Sequence, residues 1–577
     1  MNTEIFSYAN VPYEIEGVEK LFADPKNTVI FNDDKQALIE ERVAQLGSDG
    51  RLLLNADNSV YVVNLTEKLL APLLAKLGNL VVDGGIWLNT QRPEWNDANN
   101  AIVGTGLSMV TLYYMRRYVA FLQELLQDNP GNVELSAELA EWVAATAQIL
   151  QEANAILNQG VISKEARNNV LRKLAGAAAH YRATVYKNGF SGKTTVASAS
   201  IVGMLEVSLK VMDESIATNL RKDGLYNAYN IINYSADSVN VDLLYPMLEG
   251  QVAVLSAGVL SPEQAVSLLD NLYASEMFRE DQNTFMLYPD RDLARFTSKN
   301  CISAERVNQN ALLKEMLAKG DHRIIEMGAE GTYHFNANFE NAGVLAEALE
   351  EVASEDSTAV ADIFAVYEEV FNHQAFTGRS GTMFGYEGLG SIYWHMVSKL
   401  LLAVQENYFA ARELDADSQE TQKLAEYYYK VRAGIGFNKT PEVYGAFPTD
   451  PYSHTPKQAG AQQPGMTGQV KEEILTRFGE LGLIVEDGQI HFQPSLLKET
   501  EFLQADDEFE FINLNSEYET VSLAPETLAF TYCQVPFVYD IAEAGKVVVT
   551  MDNGETVQSD SLALDAELSR QIFARSG

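Results

Sequence analysis

The chain has 577 residues, 80 of them Asp or Glu and 42 Lys or Arg, so its formal charge is −38. That imbalance argues against a nucleic-acid binder, because duplexes are gripped mainly by Lys and Arg that displace counterions from phosphates, and the same field disfavours anionic membranes. With 46% hydrophobic and 21% charged residues, the composition is that of a globular protein able to bury a large core, not of a disordered chain.

Met1 to Tyr8 has no basic run leading into an apolar stretch, and no uninterrupted apolar run of about 18 residues occurs anywhere, so a soluble, cytoplasmic protein is expected. Residues 1 to about 90 mix short helical patterns with strand-like runs at 51–55 and 59–64, and end in a glycine-marked loop beginning Asp83-Gly84-Gly85. From about 104 to 432 apolar residues recur at the helical period. The spacing predicts helices over 105–128 (stopped by Asn129-Pro130-Gly131), 133–158, 164–187, 203–219, 262–274 (opened by Ser261-Pro262-Glu263), 303–318, 343–372 in two pieces, 391–411 and 415–432. After about 483 the pattern changes to short alternating runs, 488–493, 509–512, 528–536 and 546–551, with Asp487-Gly488 and Asp552-Asn553-Gly554 as hairpin turns. The domains expected are an N-terminal α/β segment (1–90), a helical domain (91–482) and an antiparallel β-domain (483–577).

The segment most suited to chemistry is Arg92-Pro93-Glu94-Trp95-Asn96-Asp97-Ala98-Asn99-Asn100, with two carboxylates, an indole and three amides in one loop. A Trp face stacks on a pyranose, amides bind its hydroxyls, and a carboxylic acid can protonate a departing glycosidic oxygen. The blander reading is that Asn96, Asp97 and Asn99 make turns and cap the next helix. Neither cysteine, Cys301 or Cys533, has a neighbour to form a metal or disulfide pattern, and the seven histidines show no paired ligand spacing, so no metal and no bound cofactor are expected. Phe190-Ser-Gly-Lys-Thr-Thr lacks the upstream glycine and preceding strand of a phosphate-binding P-loop, which removes a nucleotide site.

Glu94-Trp95-Asn96-Asp97, behind a glycine-containing loop and ahead of a long helix, resembles the Asp-Trp-Asn-Asp-Gly segment of cellobiose-phosphorylase-like enzymes, family 94 of the glycoside hydrolases. Four further segments follow in order. Asp223-Gly-Leu-Tyr-Asn-Ala-Tyr resembles that family's Asp-Gly-Trp segment, and Asn283-Thr-Phe-Met-Leu-Tyr-Pro-Asp its Leu-Leu-Tyr-Pro-Pro loop. Tyr333-His334-Phe-Asn resembles a loop with a substrate- or phosphate-contacting histidine, and Thr377 through Ser391 resembles the phosphate loop. The resemblance implies a mainly α fold, an (α/α)6 barrel of six-hairpin glycosidase type with a small C-terminal antiparallel β-sandwich, acting with inversion on β-linked gluco-oligosaccharides. It implies Glu94 as catalytic acid, one methylene longer than the family's Asp, with Arg92, Trp95 and Asp97 around the sugar. Asp223, Tyr333 and His334 would also touch substrate.

At the phosphate loop this chain has Glu387 where the family places small hydroxyl and glycine donors, while Arg379, Ser380 and Thr382 remain as anion ligands. A carboxylate and a phosphate a few ångströms apart in a dry site repel by several kcal/mol even at an effective dielectric of about 20. A carboxylate there could instead deprotonate water, the second role an inverting hydrolase requires. Hydrolysis therefore stands first, with Glu94 as acid and Glu387 as base. Phosphorolysis, with inorganic phosphate as co-substrate and Glu387 turned towards Arg379, stands second, and a non-catalytic oligosaccharide binder third. Glu326 and Glu330 compete as bases, and His454 and Gln463 lie in a long Pro- and Gly-containing loop. Only 93 residues precede Glu94, fewer than the family carries there. An oligosaccharide is the expected partner; the short N-terminal stretch leaves open a truncated chain, a second polypeptide supplying the N-terminal portion, or helices after 94 that rebuild the ring, and a homodimer is left open as well.

Overall fold

The computed structural model describes residues 1–90, 102–289, 296–352, 357–371, 394–435, 440, 443, 470–551 and 553–575. The chain forms two compact units, one of Met1–Glu280 with Phe285–Tyr393, the other of Asp281–Thr284 with Trp394–Gly577. The break at 393/394 falls inside the stretch expected to form the helical domain. It is mainly helical, and among the described residues no helix is long and apolar enough to cross a membrane.

In the first unit, Met109–Asp128 packs on Ser198–Thr218, and Ala137–Leu157 packs on both Ser198–Thr218 and Lys164–Asn188. These are the helices expected from the apolar period, with one correction. The start of the predicted 133–158 helix is a strand, Asn132–Ser136, paired antiparallel with Lys193–Ala197. Val133 and Leu135 point inward while Asn132 and Glu134 are exposed, a period of two that the following helical pattern overrides when read in one window. The predicted 303–318 helix is two, Ala304–Gln309 and Ala311–Ala318. It breaks at Asn310, whose side-chain carbonyl accepts the Leu313 amide at 3.1 Å.

Also in this unit is a five-stranded antiparallel sheet, ordered Val239–Leu243, Tyr229–Tyr234, Gly106–Ser108, Gly85–Trp87, Leu80–Val81, the first three of which fall in the region read as dominantly helical. Trp87, Val81, Leu107, Ile232 and Val239 from the sheet meet Leu171 and Ala175 of the Lys164–Asn188 helix and Phe22 in one buried cluster. The Trp87 indole donates to the Gly104 carbonyl at 3.0 Å, so the buried ring leaves no stranded N–H. A separate core lies further along the chain. All its buried members fall between Ile302 and Phe371, and it joins the two short helices, the hairpin Ile325–Met327/Tyr333–Phe335 and the helices Ala342–Val352 and Ser357–Phe371.

In the second unit, Trp394–Leu414 packs on Gln419–Ala433 and on Val470–Leu481. Gly434 approaches the Asn283 carbonyl so closely that a Cβ would lie 2.4 Å from it, so only glycine fits where Asp281–Thr284 joins this unit. The expected C-terminal strands form four hairpins, Leu483–Glu486/Gln489–Phe492, Asp507–Ile512/Tyr518–Leu523, Thr527–Tyr532/Val535–Asp540 and Val547–Thr550/Thr556–Ser559. Asp487 and Gly488 both take positive φ, 49° and 76°, as a two-residue turn of twisted strands requires. Ile490, Phe492 and Leu564 anchor a core that gathers Tyr532, Phe537, Tyr539, Val547 and the helix Ala566–Ala574.

Candidate active site

Arg92, Glu94, Trp95 and Asp97 lie outside the described residues, but the two strands on either side of them in sequence are described. Strands Gly85–Trp87 and Gly106–Ser108 pair with Ile86 opposite Ser108 and Trp87 opposite Leu107. The pairing runs on to the loop's base, where the Leu88 amide donates to the Gly106 carbonyl at 2.9 Å and the Gly104 amide to the Leu88 carbonyl at 2.6 Å. A Cβ on Gly106 would fall 2.4 Å from Ile102, so the return strand can lie this close only as glycine. Beyond Leu88, buried Asn89 donates to the Asn79 side-chain oxygen at 2.9 Å, and the Thr28 hydroxyl bonds both the Asn89 carbonyl and the Thr90 hydroxyl. The chain at Leu88 and at Gly104 is thus tied into one two-stranded base.

Asp223 stands at the other end of this sheet. Tyr229 pairs with Ser108 and Ile231 with Gly106, so the chain before Tyr229 lies at the end of the strands away from residues 91–101. There the Asp223 carboxylate accepts from the Arg221 guanidinium at 3.1 Å and from the Leu225 amide at 3.1 Å, closing its own turn. Arg221 also donates to the side-chain oxygen of Asn227 and the carbonyl of Leu244, each at 3.0 Å. From Asn227 an amide chain runs inward: Asn227 and Asn230 donate to the Asn219 side-chain oxygen, Asn230 also to the Gly84 carbonyl, and Asn219 to the Asp83 carbonyl. Arg167, 8% exposed, completes it with the Asp83 carboxylate at 3.0 Å and the carbonyls of Val82 and Val239. Sequence reading missed Arg167, Asn219, Asn227 and Asn230. The available signal was the pair Asn227 and Asn230 inside an apolar and aromatic run, where buried amides must find partners.

Tyr333 and His334 sit on the hairpin with Ile325–Met327, His334 opposite Glu326. The imidazole is held from both sides, by the Asn300 carbonyl at Nδ1 and by the Thr332 hydroxyl at Nε2, 2.8 Å away. A carbonyl can only accept, so Nδ1 is the donor in the Asn300 bond. Among the described residues no hydrogen bond joins Asp223 to Tyr333 or His334. Arg379, Ser380, Thr382 and Glu387, like His454 and Gln463, lie outside the described residues.

In the second unit three carboxylates cluster on the helix Val470–Leu481. Glu480, 1% exposed, takes Arg432 at 3.0 Å, Arg477 at 2.6 Å and the Tyr428 hydroxyl. Burial pushes the Tyr428 phenol well up, with the Glu480 charge adding to it. Glu473 is different. Burial pushes its carboxyl up, Arg432 opposes, Glu480 and Glu472 add to the rise, and its Oε1 is buried with no partner. Burial likewise lowers His395, against the opposing charge of Glu472.

Residues 293–374 match the GH149 phosphorylase insertion domain 2. No curated protein matches the chain. The matched stretch encloses the self-contained core between Ile302 and Phe371, and with it Tyr333 and His334. The chain is an enzyme of the glycoside hydrolase or glycoside phosphorylase kind, and a phosphorylase's domain supports phosphorolysis better than hydrolysis. The resemblance drawn from motifs agrees at the level of glycoside phosphorylases, and the matched domain is that of a different family of them.

Proposed function

We propose that the protein is an inverting glycoside phosphorylase acting on β-linked gluco-oligosaccharides, on an (α/α)6 barrel with a C-terminal β-sandwich. The observation that carries this reading is the match of residues 293–374 to a phosphorylase insertion domain. It favours phosphorolysis over hydrolysis. In this reading Glu94 protonates the departing glycosidic oxygen while a phosphate oxygen attacks the anomeric carbon from the opposite face, giving an α-sugar 1-phosphate and a shortened oligosaccharide. Phosphate arrives already ionised, so no side chain has to act as base. Arg379, Ser380 and Thr382 bind the anion, and Glu387 is held by Arg379 instead of facing the phosphate. Arg92, Trp95 and Asp97 hold the sugar on the loop whose base is the Leu88–Gly104 stem.

Two site residues take narrower roles. Asp223, already bound to Arg221 and to its own turn, shapes its loop more than it reaches for sugar. His334 can face an anion only by giving up Thr332, because both ring nitrogens are engaged. The test is incubation of the protein with a panel of β-linked gluco-oligosaccharides, with and without phosphate, products being separated by chromatography. Sugar 1-phosphate formed only with phosphate supports the proposal, and free sugar released without phosphate restores hydrolysis with Glu387 as base.

A further inference from the structure

The sequence holds two Asn-Gly pairs, Asn188-Gly189 and Asn553-Gly554, and the structure gives them different surroundings. In such a pair no Cβ hinders the glycine nitrogen from approaching the side-chain carbonyl carbon of the asparagine. Asn188 is the last residue of the helix Lys164–Asn188, and the Gly189 amide donates to the Val185 carbonyl at 3.0 Å. That nitrogen is committed to the last turn of a helix whose inner face is buried, and freeing it unwinds the helix end.

Asn553 stands instead at the exposed tip of the hairpin Val547–Thr550/Thr556–Ser559. Its side-chain oxygen accepts the Glu555 amide at 2.8 Å, an Asx turn that folds the side-chain carbon back towards the Gly554 peptide. The reacting pair is thus brought together before any chemistry begins. The same Glu555 N–H points at the oxygen that takes up negative charge when a nucleophile adds to that carbon. The Gly554 amide donates to the Met551 carbonyl at 2.8 Å, a bond at an exposed tip that opens more readily than one in a packed helix. The space beside Gly554 is open, since a Cβ built there meets no atom within 4 Å.

We infer that Asn553 is a modification site, at which the chain converts its own asparagine to an acidic residue. The Gly554 nitrogen loses its proton to hydroxide and bonds to the Asn553 side-chain carbon. The bond from that carbon to Nδ2 breaks, and the nitrogen leaves as ammonia with a proton from water, which returns the hydroxide. One water then opens the cyclic imide at either carbonyl, leaving an aspartyl residue or its β-linked isomer. In sum an amide and a water become a carboxylic acid and ammonia, with nothing oxidised or reduced. The new carboxylate lies where Asn553 Nδ2 donates to Glu555 Oε2 at 3.3 Å, so like charges replace a hydrogen bond.

The experiment is incubation of the full chain in heavy-oxygen water at pH 8 and pH 6, then digestion in ordinary water and mass spectrometry of the peptides. The expected result is heavy oxygen entering position 553, faster at pH 8 than at pH 6. In the folded chain it should enter at least about fivefold faster than at position 188, where a helical hydrogen bond must open first. A parallel incubation in urea, which removes the folded surroundings of both pairs, should bring the two rates together. No heavy oxygen at 553, equal rates at the two positions in the folded chain, a faster rate at 188, or a difference that persists in urea would overturn the proposal.

Discussion

Arg167 shows how much one side chain can hold. Its guanidinium joins Asp83 to the carbonyls of Val82 and Val239, and both members of the ion pair are nearly buried, with side chains 10% and 11% exposed. Removing one partner from such a pair leaves an uncompensated charge and costs about 3–5 kcal/mol. Arg167→Met is therefore expected to lower the unfolding temperature sharply and, by loosening the turn that feeds strand Gly85–Trp87, to reduce turnover. Thermal unfolding and a product assay on the same preparation check both effects. Glu473 carries the opposite sign. Its folded carboxyl is raised, first by burial, so the native state keeps its proton to higher pH than the unfolded chain does. Stability then falls as pH rises from the ordinary carboxylate value through the raised one. Glu473→Gln should stabilise the protein at pH 7 and change nothing at pH 3.5, as urea unfolding at the two pH values would show. An equal gain at both would mean the effect is not one of ionisation.

Elements with a strong local signal were legible. The helix Pro262–Ala274 matches its prediction because Ser261 and Gln264 form a reciprocal capping box with proline in the first turn. Ser261→Ala should cost about 1 kcal/mol, seen as faster amide exchange confined to 262–274. Long amphipathic helices and the Asp487-Gly488 hairpin were legible for the same reason, since period and turn chemistry are written within a few residues. The sheet that carries the loop stem was not. Gly85–Trp87 and Gly106–Ser108 are three residues each and buried throughout, so they show no alternation to read. Tyr229–Tyr234, which pairs with Gly106–Ser108, buries four consecutive residues before turning outward. Nor could the sequence show that Asp223 spends its carboxylate on Arg221 and Leu225, or that His334 is held from both sides, because those partners are set by turn and hairpin geometry. The assignment of Arg92, Glu94, Trp95 and Asp97 to a sugar site rests on residue types alone, since these residues lie outside the described ones.

For the whole molecule, the segment matching the phosphorylase insertion domain encloses a core of its own. Leu313, Ile324, Ile325, Phe335, Leu345, Ile363 and Tyr367 are buried among one another, and Phe335 packs on the rings of Tyr367 and Phe371 at 5.1 and 6.0 Å. A fragment spanning 293–374 is thus expected to fold alone, despite the thin margin of small domains. Circular dichroism should show helix lost in one cooperative thermal transition, and a featureless melt would mean that the segment depends on its surroundings.

In the proposed reaction phosphate breaks the glycosidic bond and Glu94 is the acid. The most direct measurement is the initial rate of sugar 1-phosphate formation from a β-linked gluco-oligosaccharide as phosphate is titrated from zero, for the native chain and Glu94→Gln. The rate is expected to start at zero, saturate with phosphate, and fall by at least about 10²-fold in the variant. Free sugar released at the same rate with or without phosphate, or a Glu94→Gln variant as active as the native chain, would contradict it.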